Sequence, residues 1–115
     1  MVRGDVYQAV LDPVEGSEQG GTRPVVVVSR DAINRSSSVV VVVPLTGREN
    51  KSRLYPSHVE IRAEEGGLQK DSVVLCEQVR SIGTHRLKKN IGHLPNQRIA
   101  RINAALKIAL DLDNS

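Results

Sequence analysis

The stretch Val25-Val26-Val27-Val28-Ser29 decides the fold of this chain. Four consecutive β-branched side chains favour an extended strand, because their stiff χ1 angles pack well on a pleated surface. A second continuous run, Val39-Val40-Val41-Val42-Val43, predicts another strand of the same kind. Neither run alternates apolar with polar residues, so we expect both faces of both strands to be buried.

Further segments of the first two thirds also predict strands. Residues 6–11 form the first strand, and His58 to Arg62 alternates apolar with polar side chains as a half-exposed strand does. Residues 72–76 and 78–82 together predict one long, bent strand, whereas residues 86–89 predict a short helical turn. Short strands at close spacing favour a small β-barrel, so we expect a mainly β fold.

The last part of the chain changes to a helical period. Pro95 suits the first turn of a helix. It is followed by the apolar residues Ile99, Ile102, Leu106 and Ala109, which are separated from one another by three, four and three positions. Leu110 and Leu112 widen this stripe, so the predicted helix runs from Pro95 to Leu112. We expect its apolar face to pack on the barrel.

The composition limits what kind of protein this is. With 115 residues, the chain predicts a single domain, 1–115. It contains no Phe, no Trp and two Tyr, so the core has to consist of Val, Ile, Leu and Ala, and a cofactor site lined by aromatic residues is not expected. Cys76 is the single cysteine, which excludes a disulfide framework and a zinc cluster and predicts a small buried side chain. We therefore expect neither a cofactor nor a metal.

Charge and hydropathy give weaker indications. The 16 Lys and Arg residues against 13 Asp and Glu residues give a formal net charge of +3, a mild bias toward polyanionic partners. The N-terminus lacks the pattern of a signal peptide, and no apolar run approaches the ~20 residues of a membrane span. We therefore expect a cytoplasmic protein that does not enter a membrane.

The loop before the first valine run carries several reactive side-chain types. It reads Gly16-Ser17-Glu18-Gln19-Gly20-Gly21-Thr22-Arg23-Pro24, with a carboxylate, an amide and a guanidinium beside a strand. Proteins commonly present reactive groups in this way, on a flexible loop that a rigid strand anchors. The same residues also fit a long hairpin loop in which Arg23 pairs with a surface carboxylate. The loop alone leaves both interpretations open.

Short motifs follow one another along the whole chain in a specific order. They are Arg3-Gly4-Asp5-Val6, Asp12-Pro13, Gly16-Ser17-Glu18-Gln19-Gly20-Gly21, Thr22-Arg23-Pro24, Pro44-Leu45-Thr46, Lys70-Asp71-Ser72-Val73 and Glu77-Gln78-Val79-Arg80-Ser81-Ile82. Together these motifs closely resemble the MazF/PemK family of toxin endoribonucleases. Any one of them alone is a weak signal, whereas all of them in register from Arg3 to the C-terminal helix are specific.

This resemblance implies both a fold and an activity. The implied fold is an SH3-like (CcdB/PemK-type) β-barrel with a C-terminal helix packed on it, working as a homodimer. The implied activity is sequence-specific, ribosome-independent cleavage of single-stranded RNA or mRNA without a metal, by the toxin of a type II toxin–antitoxin system. A cognate MazE-like antitoxin holds such a toxin inactive, and DNA is contacted only through the antitoxin complex. The family uses the Arg after the glycine pair and the Thr that ends the third strand, here Arg23 and Thr46.

The chemistry of RNA cleavage suits these residue types. Attack of the ribose 2′-OH on the adjacent phosphorus leaves a 2′,3′-cyclic phosphate and a 5′-OH, and it requires charge stabilisation and proton transfer. Arg23 can donate two parallel hydrogen bonds to phosphate oxygens. Thr46 can orient the phosphate, although without the resemblance a hydroxyl capping the turn after Pro44 is the better interpretation. Glu18 is the nearest candidate general base along the sequence.

RNA binding is expected to extend beyond the scissile phosphate. Polar side chains that can hydrogen-bond to base edges are Ser17, Gln19 and Gln78, and cations that can bind phosphates are Arg48, Lys51, Arg53 and Arg80. Residues 48–53 fit a solvated flexible loop equally well. The histidines lie in three separate segments, so a paired-histidine mechanism is not indicated. They are His58, His85 and His93.

Two other functions use the same barrel. CcdB-type toxins bind and poison DNA gyrase without any chemistry, and they resemble one another in a C-terminus that contains Trp. This chain has no Trp. The second alternative is an inactive barrel retained as an adaptor or antitoxin sink, against which the presence of both Arg23 and Thr46 argues.

Overall fold

Seven antiparallel strands and two α-helices make up the part of the chain that the computed structural model describes, residues 1–112. The strands are β1 (Asp5–Val10), β2 (Thr22–Val27), β3 (Val39–Gly47), β4 (His58–Ile61), β5 (Ser72–Leu75), β6 (Arg80–Gly83) and β7 (Leu87–His93). The helices are α1 (Asp31–Ser36) and α2 (Asn96–Ala109). The predicted mainly β fold with a C-terminal helix is therefore confirmed.

Strand β3 is the longest strand and the centre of the sheet. The strand order is β4-β5-β3-β2-β1-β7, and β6 pairs with β3 beside β5. Along one edge of β3, Val39 to Val42 pair with β6 and Leu45 to Gly47 pair with β5. A 3₁₀ turn, Cys76–Gln78, joins β5 to β6. The predicted single long strand is therefore wrong: the turn divides it into two short strands, β5 and β6, which both pair with β3.

The continuous valine runs are explained by a sheet with a core on each face. One core cluster contains Val26 and Val43, and the other contains Val25, Val27, Val40 and Val42. Side chains alternate between the faces of a strand, so consecutive valines enter opposite clusters. The predicted burial fails at Val39, which is 47% exposed because it lies at the end of β3, and is incomplete at Val28 and Val41, which are half-buried.

Helix α2 packs on the barrel, as the apolar spacing predicts. Ile102 is buried in the core, and Ile99, Leu106 and Ala109 pack against the same cluster. The predicted end at Leu112 is wrong, since the helix ends at Ala109 and Asp111 takes a positive φ of 55° that turns the chain away. The next two apolar residues, Leu110 and Leu112, are consequently about half exposed and do not widen the buried stripe.

Two elements differ from the sequence-based expectation. The predicted helical turn at 86–89 is wrong, because Leu87 already begins β7 and only Thr84–Arg86 form a 3₁₀ turn. Lysines and asparagine have low β propensity, but β7 pairs with β1 along residues 5–9 and keeps these side chains exposed at the edge of the sheet. The short helix α1 was not predicted. It is held by buried Asn34, whose Nδ2 donates to the Ser29 carbonyl at 2.9 Å.

Cys76 is fully buried, as predicted. Burial, with a smaller contribution from the adjacent Glu77 charge, raises the pKa of its thiol to about 12. The thiol is therefore protonated at neutral pH and packs as a small apolar side chain. Among residues 1–112, no helix is long and apolar enough to cross a membrane.

Candidate functional site

Strand pairing brings Arg23 and Thr46 together at the end of the sheet. Arg23 pairs with Ala9 of β1, and Val25 pairs with Pro44 of β3. The β2–β3 pairing ends there, two residues from Arg23 on one strand and two residues from Thr46 on the other. Both line an open cleft of about 470 Å³, whose walls also include Gln8, Thr22, Pro24, Leu45, Gly47, Asn50, Gly67, Leu68, Gln69, Lys70, Ser72 and Ile91. We refer to this as the Arg23–Thr46 cleft.

Arg23 is held by the backbone and leaves its charge available. The half-buried side chain donates through Nε to the Gly20 carbonyl at 2.8 Å, and Nη1 lies 3.5 Å from the Leu45 carbonyl. Within the described part of the chain, Arg23 forms no salt bridge, so it does not pair with a surface carboxylate. A guanidinium fixed in this way can donate a pair of hydrogen bonds to an anion in the cleft.

Thr46 is buried, and its hydroxyl is bonded to a neighbouring side chain. Thr46 Oγ1 accepts a hydrogen bond from Asn50 Nδ2 at 3.0 Å. The 3₁₀ turn that follows, Arg48–Asn50, has Gly47 at its N-cap and no side-chain cap. Thr46 therefore does not cap this turn, and its hydroxyl proton is free to donate toward the cleft.

A lysine–glutamate pair forms the rim of the cleft beside Thr46. Lys70 Nζ lies 2.7 Å from Glu49 Oε2. The hydrogen bond from Lys70 lowers the pKa of the Glu49 carboxyl, and the residue's own backbone N–H adds to this effect. The Glu49 carboxylate is therefore ionised at neutral pH and offsets the Lys70 charge, which leaves Arg23 as the principal cation within the cleft.

A second depression adjoins the first along β3. It has a volume of about 320 Å³ and is lined by Glu18, Gln19, Pro44, Glu77, Gln78, Val79 and Arg80. The backbone N–H of Gln19 donates to Gln78 Oε1 at 2.8 Å, and Arg80 Nη1 lies 3.3 Å from the Leu11 carbonyl. The structure thus brings together three residues predicted to bind RNA. We call this the Gln78 depression.

Glu18 lies apart from the other two predicted catalytic residues. Its exposed carboxylate accepts a hydrogen bond from the Glu15 backbone N–H at 2.9 Å, within its own loop. It lines the Gln78 depression, whereas Arg23 and Thr46 line the other cleft. Ser17 is exposed on the same loop. Glu18 is close to Arg23 in sequence but does not enter the cleft, because the backbone turns between Glu18 and Arg23 at Gly21, where φ is 71°.

The predicted basic loop is ordered by side-chain contacts of its own. Arg48 Nε lies 3.3 Å from Glu60 Oε2, and the guanidinium of Arg53 lies 5.2 Å from the centre of the Tyr55 ring. Lys51 is half-buried, and its carbonyl accepts a hydrogen bond from Arg48. These three cations line neither depression. Their predicted role in RNA binding stays a prediction.

Sequence reasoning missed a hydrogen-bonded group behind the Gln78 depression. His58 Nδ1 accepts from the Tyr55 backbone N–H at 3.1 Å, so Nε2 is the protonated nitrogen that faces Glu77 Oε2 at 3.0 Å. Ser57 also donates to Glu77. Burial alone would raise the pKa of Glu77, but hydrogen bonds from its own backbone N–H, His58 and Ser57 together lower it. No local spacing indicates this group, because it joins β4 to the turn after β5.

The remaining histidines lie outside both depressions. His85 is exposed, and His93 Nδ1 lies 2.8 Å from Asp5 Oδ1 across the β1–β7 pair. Considering residues 1–112 only, no three His, Cys, Asp or Glu side chains are close enough to hold a metal ion together.

Residues 2–110 match the family described as PemK-like, MazF-like toxin of type II toxin–antitoxin system. The chain is similar to Endoribonuclease MazF of Staphylococcus saprophyticus, with 47% identity over 112 residues, 97% of this chain and 92% of that protein.

Solved structures share the fold over nearly the whole chain. An endoribonuclease from a mycobacterial species, solved in complex with its cognate antitoxin, superposes with a TM-score of 0.82 at 28% identity and covers 100% of this chain and 99% of that chain. MazF from Deinococcus radiodurans gives a TM-score of 0.82 at 27% identity, over 96% of each chain.

Proposed function

Because this chain belongs to the PemK-like, MazF-like toxin family of type II toxin–antitoxin systems and is an endoribonuclease of that family, we propose that it cleaves single-stranded RNA in the Arg23–Thr46 cleft. The observation that carries this proposal is the half-buried Arg23 guanidinium, held by backbone carbonyls and free of any salt bridge in the described structure. The same cleft is lined by Thr46, whose hydroxyl proton is not used in its hydrogen bond with Asn50.

The proposed reaction is an internal transfer at phosphorus. The ribose O2′ forms a bond to phosphorus while the bond to O5′ breaks, so the products are a 2′,3′-cyclic phosphate and a 5′-OH. One proton leaves the 2′-OH and one is delivered to O5′. Arg23 stabilises the charge that develops on the non-bridging oxygens, and Thr46 donates a hydrogen bond to the same phosphate. These roles require no metal ion.

The cleft lining does not supply a general base. The side chains that line the cleft include no carboxylate and no histidine, and the rim carboxylate, Glu49, is paired with Lys70. Glu18, in the adjoining Gln78 depression, stays the predicted base. A carboxylate oxygen can accept the 2′-OH proton as the bond to phosphorus forms.

Recognition of the RNA sequence is proposed to take place in the Gln78 depression. The side-chain oxygen of Gln78, Oε1, accepts a hydrogen bond from the Gln19 backbone N–H. This leaves the side-chain amide nitrogen of Gln78 as a donor for a base edge. Arg80 adds a cation beside it, and Ser17 lies on the loop above. In this proposal the outer cations bind phosphates of the flanking nucleotides: Arg48, Lys51 and Arg53.

The proposal includes a homodimer and a MazE-like antitoxin. A dimer would carry twice the formal charge of +3 and could bind RNA across its two subunits. The mycobacterial relative is solved with its cognate antitoxin, and MazF of Deinococcus radiodurans is solved with MazE. An acidic, partly disordered antitoxin segment suits the same basic groove and would compete with RNA, and DNA would be reached only through that complex. We place this activity in the cytoplasm, where mRNA is found.

The test is cleavage of a long single-stranded RNA by the purified protein in excess EDTA. We expect recurrent cuts at one short sequence and 5′ products that end in 2′,3′-cyclic phosphate. The readouts are primer extension for the cut sites and enzymatic end-labelling for the termini. An RNA that stays intact over diverse sequences would contradict the proposal. In that case, inhibition of gyrase supercoiling would favour the CcdB-like alternative. A protein that neither cleaves RNA nor inhibits gyrase would favour the inactive adaptor.

A further inference from the structure

Asn50 is bonded to Thr46, and no motif of the sequence singles it out. Asn50 Nδ2 lies 3.0 Å from Thr46 Oγ1, and both residues line the Arg23–Thr46 cleft. An amide nitrogen can only donate, so the threonine oxygen is the acceptor in this bond. The hydroxyl proton of Thr46 is consequently directed away from Asn50.

We propose that Asn50 is a positioning residue that turns the Thr46 hydroxyl proton toward the scissile phosphate. The proposal rests on the proposed function, because it requires RNA in the cleft. Thr46 can then act as a donor from the start of the reaction, without first giving up another hydrogen bond. A donor that is already oriented stabilises developing charge better than one that has to rotate.

The turn that carries Asn50 is fixed before any substrate binds. The Arg48 backbone N–H donates to the Asp71 carbonyl at 2.9 Å, and Glu49 pairs with Lys70 at 2.7 Å. Gly47 is part of the same arrangement, since a Cβ at this position would lie 2.1 Å from Glu49 Oε1. The turn is therefore anchored on both sides, and Asn50 reaches Thr46 over a separation of only four residues.

Two substitutions separate positioning from a general loss of structure. Asn50→Ala removes the donor, whereas Asn50→Asp keeps the shape and replaces the donor by an acceptor. A carboxylate at this position accepts the Thr46 proton and turns it away from the phosphate. Protonation of that carboxyl restores a donor, so part of the activity should return at low pH. Asn96→Asp, at the exposed start of α2, is the matched control for adding a carboxylate elsewhere.

The experiment is RNA cleavage under single-turnover and steady-state conditions, from pH 7 to 4.5. We expect Asn50→Ala to lower kcat about tenfold, the effect of one hydrogen bond, with KM changed by less than about twofold. Asn50→Asp should be slower than Asn50→Ala at pH 7, and its rate relative to wild type should rise about tenfold toward pH 4.5 as the carboxyl takes up its proton. Asn96→Asp should follow wild type throughout.

A direct contact between Asn50 and RNA is distinguished by the Thr46→Val background. If Asn50 acts through Thr46, Asn50→Ala adds no further loss there under single-turnover conditions with excess enzyme. A second tenfold loss would overturn the proposal. Wild-type kcat for Asn50→Ala, or a relative rate for Asn50→Asp that does not change with pH, would also overturn it. A wild-type protein that leaves RNA intact would instead contradict the proposed function itself. Thermal unfolding shows whether each variant is folded. If Asn50→Ala is unfolded, the pH dependence of Asn50→Asp alone tests the proposal.

Discussion

Replacing Arg23 by alanine is expected to lower kcat/KM for RNA cleavage by about 10³-fold, because a fixed charged donor to the phosphate is lost. Within the described residues, Arg23 has no salt bridge, and its fixed contacts are with the carbonyls of Gly20 and Leu45. Its removal therefore costs transition-state stabilisation much more than it costs folding. Single-turnover cleavage of a short RNA containing the cut sequence measures the effect.

Two further variants sharpen this prediction. Arg23→Lys keeps the charge but loses the paired donors of the guanidinium, so an intermediate loss of about 10²-fold is expected. Arg101→Ala removes the same residue type from the exposed face of α2 and should leave cleavage unchanged. A folded Arg23→Ala protein that cleaves within tenfold of wild type would remove Arg23 from the catalytic machinery.

Replacing Gly67 by alanine is expected to destabilise the fold by about 3 kcal/mol or more, because two costs combine. Gly67 has a φ of +79°, which side chains rarely adopt, and a Cβ there would lie 1.7 Å from the Ile91 carbonyl oxygen. That oxygen belongs to the backbone of β7 between Asn90 and Gly92, which both pair with β1, so a shift of the Ile91 carbonyl disturbs that pairing. Gly67 also lines the Arg23–Thr46 cleft, so activity should fall with stability.

Gly16→Ala is the matched control for the backbone strain. Gly16 has a φ of +60°, but a Cβ there meets nothing within 4 Å, so only the conformational cost of about 1 kcal/mol applies. Urea unfolding followed by circular dichroism compares the two variants. Equal midpoints for Gly67→Ala and Gly16→Ala would show that the close approach to β7 has no energetic weight.

The strands that could be predicted are those whose signal is local. Continuous valine runs and the alternation around His58 to Arg62 report burial directly, and the structure confirms β2, β3 and β4. The β7 strand could not be predicted, since its lysines disfavour strands and long-range pairing with β1 holds them there. The end of α2 was placed too late because apolar residues continue beyond Ala109, whereas the backbone reverses at Asp111.

In the candidate site too, some residues could be predicted from local motifs and others depend on long-range contacts. Arg23 and Thr46 were predicted through motifs, and the strand register brings them into one cleft. Glu18 was chosen for its closeness in sequence, but it lines the adjoining depression, because the direction of a glycine-rich loop is not encoded in spacing. Asn50 was not predicted, since its contact with Thr46 depends on a turn that distant residues anchor.

The most direct test of the central claim, that this cleft catalyses attack by the ribose 2′-OH, is cleavage of an RNA with one 2′-deoxynucleotide at the cut position. The account predicts that cleavage at this position is abolished, that the RNA still competes with the unmodified substrate, and that unmodified sites in the same strand are cut at their usual rate. Cleavage that continues at the 2′-deoxy position would contradict the account, because the attacking nucleophile would then be water or a protein side chain.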